Sequence, residues 1–159
     1  MIESTDESVG RIVEKIRELG IEEHTVVVFV SDNGGLSTLM RKSFNQATAN
    51  MPLRAGKGWL YEGGIRAPLI IAAPGAPTGL DIAQPTTSND LYPTLLELAG
   101  LTQMPEQHLD GESLASAIFS QGGTGERPLY WHFPHYHGSG NRPSGAIRWG
   151  DLKLIEWFE

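Results

Sequence analysis

Asp32-Asn33-Gly34-Gly35 sets a carboxylate and an amide oxygen side by side, just after the β-branched run Thr25 to Val30. Both are hard oxygen donors, suited to calcium or magnesium. The same residue types favour tight turns, and alone the tetrapeptide reads as a turn. Lys57 stands between glycines in Leu53-Arg54-Ala55-Gly56-Lys57-Gly58. Glycine lets backbone approach a ligand closely, and an ammonium there could hold an oxyanion. Alone, Lys57 reads better as a solvated loop lysine. Glu62 and Arg66, in Glu62-Gly63-Gly64-Ile65-Arg66-Ala67-Pro68, suggest an ion pair that fixes the loop rather than catalysis. His132, His135 and His137 crowd the stretch Trp131-His132-Phe133-Pro134-His135-Tyr136-His137. Three imidazoles this close could bind zinc or act as acid and base. Pro134 interrupts the extended chain that would aim them to one side, so a non-metal reading is preferred. At most one of them then contacts substrate. His24 and His108 carry no signal.

These residues need elements to hold them. Val9, Ile12, Val13, Ile16 and Leu19 follow helical spacing, with Ser4 and Glu7 as a capping box and Gly20 as the stop. Thr25 to Val30 is apolar on both faces, which suits a strand buried mid-sheet between helices. Leu69 to Ala73 is a second such strand, fenced by Pro68 and Pro74-Gly75. Residues 36 to 56 show no period. Ser88 or Asn89 opens a helix that tolerates Pro93 in its first turn and ends at Gly100. Its apolar positions are Leu91, Leu95, Leu96, Leu98 and Ala99. Asp110 is placed to cap a short helix through Phe119. Leu129 to Phe133, Ala146 to Trp149 and Leu152 to Phe158 read as strands, the last two joined at Gly150-Asp151. The expected class is α/β over residues 1–121, with a small antiparallel β segment over 122–159.

Composition sets bounds. The chain has 159 residues, 40% apolar and 19% charged, which is a globular profile. A net charge of −7 with scattered basic residues argues against nucleic acid or an acidic membrane surface as the main partner. No apolar run is long enough to span a bilayer, and no signal peptide is evident. With no cysteine, disulfides and thiolate metal sites are excluded. The chain opens on a helix and stops within a strand, so it reads as part of a longer protein.

In combination the segments are more specific than singly. They run Asp6-Glu7-Ser8-Val9-Gly10, Ser31-Asp32-Asn33-Gly34-Gly35, Gly56-Lys57-Gly58 and Tyr61-Glu62-Gly63-Gly64-Ile65-Arg66-Ala67-Pro68. Asp90-Leu91-Tyr92-Pro93-Thr94-Leu95-Leu96, Asp110-Gly111 and Ala146-Ile147-Arg148-Trp149-Gly150-Asp151-Leu152-Lys153-Leu154-Ile155 follow. In this order they resemble the C-terminal half of the type I sulfatases, within the alkaline phosphatase superfamily. The resemblance covers nearly the whole chain. It implies part of an alkaline-phosphatase-like sheet with flanking helices. It also implies Asp32 and Asn33 as ligands to a divalent cation (calcium, or magnesium), Lys57 on the sulfate and leaving oxygen, and Tyr61 to Arg66 as the supporting loop. His135 and His137 fall where relatives often border the substrate pocket. The family's nucleophile is a formylglycine made from Cys or Ser, followed two residues later by Pro and then by Arg. None of the ten prolines here has Cys or Ser two positions before it. The nucleophile and the first pair of metal aspartates are thus expected in an N-terminal half, in a periplasmic or secreted parent.

The reading that follows is a fragment of a sulfatase, inactive alone. A phosphatase or phosphonate hydrolase of the same superfamily is one alternative, since phosphate and sulfate esters share geometry. A non-catalytic binding or assembly module is another, with an uncovered apolar face that would drive self-association.

Overall fold

The computed structural model describes residues 2–38, 48–120, 122–123 and 125–159. The sequence stretch without a period lies partly over 39–47, outside the described residues. The chain divides into two compact units. One is Met1–Val28 with Ile71–Thr124, the other Phe29–Ile70 with Gly125–Glu159.

In the first unit, helix α1 covers Ile2–Glu18. It starts earlier than the sequence suggests. Ser4 therefore lies inside the helix, where its carbonyl accepts the Ser8 hydroxyl at 2.8 Å, and cannot cap it. The stop falls as expected. Gly20 N–H donates to Arg17 O at 2.9 Å and Ile21 N–H to Ile16 O at 3.3 Å, a Schellman ending. No residue of α1 is buried, and Ile12 and Leu19 are 58% and 59% exposed.

Strand β1, Val27–Val30, pairs with β2, Leu69–Ala72, in a two-stranded sheet. The expectation of a strand buried on both faces does not hold for this chain. Val30 is 48% and Ile70 62% exposed, since among the described residues the sheet has no third strand.

A 3-10 turn at Ser88–Asp90 leads into helix α3, Leu91–Leu98. The cap of this turn is Thr87, one residue before Ser88 and two before Asn89, the expected positions. Its side chain accepts from the Asp90 N–H, and Asp90 Oδ2 accepts from the Thr87 N–H at 2.7 Å. Nor is the buried face the leucine stripe. Leu95 is 42% exposed, whereas Asp90, Pro93 and Thr94 are buried. Asp90 Oδ1 accepts from Glu112 N–H and Thr94 Oγ1 from Leu114 N–H, each at 2.9 Å. These bonds pin the segment that enters helix α4, Ala115–Ile118. Asp110 does not cap α4. Its N-cap is Leu114, and Ser113 Oγ accepts from the Ala115 N–H at 3.2 Å.

In the second unit, β3 (Leu129–Phe133), β4 (Ser144–Trp149) and β5 (Leu152–Trp157) form an antiparallel sheet in that order. Trp149 pairs with Leu152 across the Gly150-Asp151 turn, as the sequence suggests. A short helix α2, Glu62–Ile65, lies in the same unit, where Leu60, Leu129 and Ala146 are buried. Among the described residues no helix is long and apolar enough to cross a membrane.

Candidate functional site

The site residues read from the sequence all lie in the second unit. After β1 the chain turns sharply at Ser31 to Gly35. Ser31 Oγ donates to Asn33 O, and Asn33 Nδ2 donates to Gly34 O, both at 2.9 Å. Asn33 Oδ1 is left as an acceptor with no donor among the described residues. The Asp32 carboxylate is exposed and likewise has no hydrogen-bond partner among them.

The loop of Lys57 is tied to this turn by backbone. Lys57 N–H donates to Gly35 O at 3.1 Å, and Gly34 N–H to Gly64 O at 2.9 Å. At the centre sits Asn50. Its Nδ2 lies 2.8 Å from Gly35 O, 3.0 Å from Ala55 O and from Ser37 Oγ, and 3.1 Å from Gly63 O. Two N–H bonds shared among these acceptors hold three stretches of chain together. Asn50 carries no sequence signal, because it stands in the stretch without a period.

The glycines around Lys57 have a different use from the one expected. A Cβ on Gly56 would run into Gly35 O, one on Gly34 into Gly63 O, and one on Gly58 into the His137 ring. The room they leave is filled by protein, not kept for a ligand. Lys57 itself is exposed, and its ammonium has no partner among the described residues.

Glu62 does not pair with Arg66. Its carboxylate meets Lys153 Nζ at 3.0 Å and Arg148 Nη1 at 3.4 Å, both on the β4–β5 hairpin. Arg66 is exposed and bonds Glu62 only through the α2 backbone, N–H to O at 2.8 Å. The partners of Glu62 thus lie far away in sequence. Trp59 adds a second tie. Its indole N–H donates to Ser139 O at 3.2 Å, and its ring stacks on Tyr61 and meets the Trp157 ring edge-on.

The histidines do not converge. Among the described residues no three His, Asp or Glu side chains group to hold a metal. His132 is exposed and lies against Phe158, while His135 is exposed and meets the edge of Phe133. Tyr136, between His135 and His137, donates its hydroxyl to Glu159, and that bond raises its phenol above the usual 10.0. Of the three, His137 alone reaches the Lys57 loop, with its ring on Gly58 and Nδ1 held by Ser139.

The Sulfatase family model matches residues 1–101. The chain belongs to the sulfatase family. A second model, N-sulphoglucosamine sulphohydrolase, C-terminal, matches residues 55–159 of this sulfatase chain. A sulfatase of Formosa agariphila is 38% identical over 93% of the chain and 28% of its own length. The N-acetylgalactosamine-6-sulfatase of Sus scrofa is 39% identical over 82% of the chain and 24% of its own length. The chain thus spans about a quarter of these relatives. The crystal structure of Ps i-CgsB in complex with k-i-k-neocarrahexaose superposes with a TM-score of 0.79 at 32% identity, covering 99% of this chain and 33% of that one. The phosphonate monoester hydrolase SpPMH from Silicibacter pomeroyi shares the fold, with a TM-score of 0.65 at 21% identity, covering 96% of this chain and 30% of that one. The α/β class expected from the sequence is the fold of these structural neighbours.

Proposed function

We propose that this chain supplies the Lys57 face of a sulfate-ester hydrolase and is inactive alone. The observation that carries the reading is the bond from Lys57 N–H to Gly35 O, 3.1 Å long, which fastens the Lys57 loop to the turn bearing Asp32 and Asn33. A sulfate ester is a tetrahedral oxyanion. Negative charge grows on its bridging oxygen as the S–O bond breaks. An ammonium held on that oxygen stabilises the transition state more than the substrate. Lys57, with no competing carboxylate among the described residues, suits that role.

A divalent cation, calcium or magnesium, fits the donor chemistry of Asp32 and Asn33. These are two hard oxygens with unfilled acceptor capacity, and both would hold it. When bound, it supplies positive charge to the ester oxygens. Two ligands fill only part of the six to eight places that calcium takes, so the remainder belong to other parts of the parent protein. The same holds for a formylglycine nucleophile, for which these residues contain no Cys or Ser in the required setting. Residues 1–121 belong to the α/β part of that parent and 122–159 to its antiparallel part. A periplasmic or secreted location for it rests on family resemblance.

The test exchanges this chain for the matching segment of the Formosa agariphila sulfatase. The exchanged enzyme hydrolyses an aryl sulfate, and Lys57→Ala lowers kcat by about 10²–10³, the cost of one lost transition-state donor. The 159-residue chain alone shows no turnover. A Lys57→Ala enzyme within threefold of its parent would end the reading.

A further inference from the structure

Asn50 meets four oxygens with one nitrogen. Its Nδ2 lies 2.8 Å from Gly35 O, 3.0 Å from Ala55 O and Ser37 Oγ, and 3.1 Å from Gly63 O. Three of the four are backbone carbonyls, which only accept. The amide nitrogen and not its oxygen is therefore the atom turned to them. Two N–H groups serve all four acceptors, so the position calls for a donor.

Two of these carbonyls bear on Lys57. Gly35 O also accepts the Lys57 N–H at 3.1 Å and the Ser37 N–H at 2.9 Å. Asn50 thus grips the same atom that fastens Lys57 to the turn of Asp32 and Asn33. Ala55 stands two residues before Lys57 with φ +62°, a backbone region that L side chains rarely adopt. In that conformation its carbonyl accepts from Asn50 Nδ2 at 3.0 Å and from Ser37 Oγ at 2.8 Å. The two bonds offset the strain and fix the direction in which the chain enters Gly56 and Lys57. The Lys57 side chain is exposed, and its ammonium has no partner among the described residues. Among those residues, backbone alone sets the point from which the ammonium reaches out.

We infer that Asn50 is a positioning residue for Lys57. Through Gly35 O and Ala55 O it sets the Lys57 backbone against the turn of Asp32 and Asn33. It acts on the ester through Lys57 and not by contact. This rests on the sulfate-ester reading of Lys57. A staple that merely kept the loop folded would show no preference for Lys57, and that difference is measurable.

In the exchanged enzyme, Asn50→Ala lowers kcat for an aryl sulfate about 10²-fold, the effect of a misplacement of about 1 Å, and leaves KM within about threefold. Asn50→Asp keeps the shape but turns a carboxylate to the carbonyls, and it lowers kcat at least as far. Added to Lys57→Ala, Asn50→Ala costs no more than about threefold further, because the group it positions is gone. Hydrogen exchange in the 159-residue chain separates local release from unfolding. With Asn50→Ala the Lys57 amide exchanges faster, while amides of the β4–β5 ladder keep the protection of the parent chain. Lost protection across that ladder, or failure of both variants to fold, means that Asn50 serves the whole unit and overturns the inference. So does an Asn50→Ala loss equally large with and without the Lys57 side chain. A kcat close to the parent value in Asn50→Ala, beside a collapse in Lys57→Ala, also sinks it and leaves the sulfatase reading in place. A Lys57→Ala enzyme that keeps its kcat ends that reading and takes the inference with it.

Discussion

Glu62 shows how much one side chain of the second unit sustains. Its carboxylate pairs with both Lys153 and Arg148, whose side chains are 16% and 27% exposed. Charges this far from water gain more from pairing than surface ions do, and lose more when a partner is removed. Lys153 also lies 5.3 Å from the centre of the Trp131 ring, so its position ties the charge cluster to β3. Glu62→Ala leaves two half-buried cations without a counterion. The expected cost is about 2 kcal/mol, between the values for exposed and buried pairs, read from urea denaturation. Arg66→Ala, at an exposed residue outside that cluster, changes stability by less than about 0.5 kcal/mol. Equal losses in the two variants would mean that Glu62 owes its importance to the α2 backbone and not to its charge.

At the scale of elements, α3 and α4 are joined through polar atoms where apolar packing was expected. Asp90 is fully buried, and both its oxygens accept backbone N–H groups, from Thr87 and Glu112. Thr94, 1% exposed, donates to Asp90 O and accepts from Leu114 N–H. Buried N–H groups stripped of an acceptor cost about 1–3 kcal/mol each. Thr94→Val keeps the shape and removes the acceptor, so it destabilises by about 1–2 kcal/mol. Its local signature is faster hydrogen exchange at the Leu114 amide. Were Leu114 to stay as protected as in the parent chain, the bond would have no role in holding α4. The hairpin β4–β5 is simpler. Its register follows from alternation and from the turn at Gly150-Asp151, and it forms where the sequence says.

For the molecule as a whole, the exposed apolar surface is the main feature. Helix α1 has an amphipathic spacing and no buried residue, and β1 and β2 leave Val30 and Ile70 open. Relatives about four times as long contain the stretch that this chain matches. Ile12, 58% exposed, contributes little packing within these residues. Ile12→Ser therefore changes the unfolding free energy of the 159-residue chain by less than about 0.5 kcal/mol. In the exchanged full-length enzyme the same change costs more, if α1 is covered there. A loss above about 1.5 kcal/mol in the short chain would show that the helix face is already packed.

By itself the sequence determined what depends on near neighbours. The turn at Asp32 to Gly35, the helix stops at Gly20 and Gly100, and the Gly150-Asp151 hairpin were legible because a few adjacent residues set those backbone angles. The ordered motifs were enough for the family. Tertiary structure alone decided partners. It gave Glu62 to Arg148 and Lys153, 86 and 91 positions away, instead of to Arg66 four positions on. It moved the cap to Thr87, ahead of the 3-10 turn that leads into α3, buried Asp90 and Thr94 in place of Leu95, and set His137, not His135, on Gly58. Residue types advertise what a side chain can bond. Which bond forms depends on the strand register and loop packing that bring distant backbone together, and spacing along a chain does not encode that.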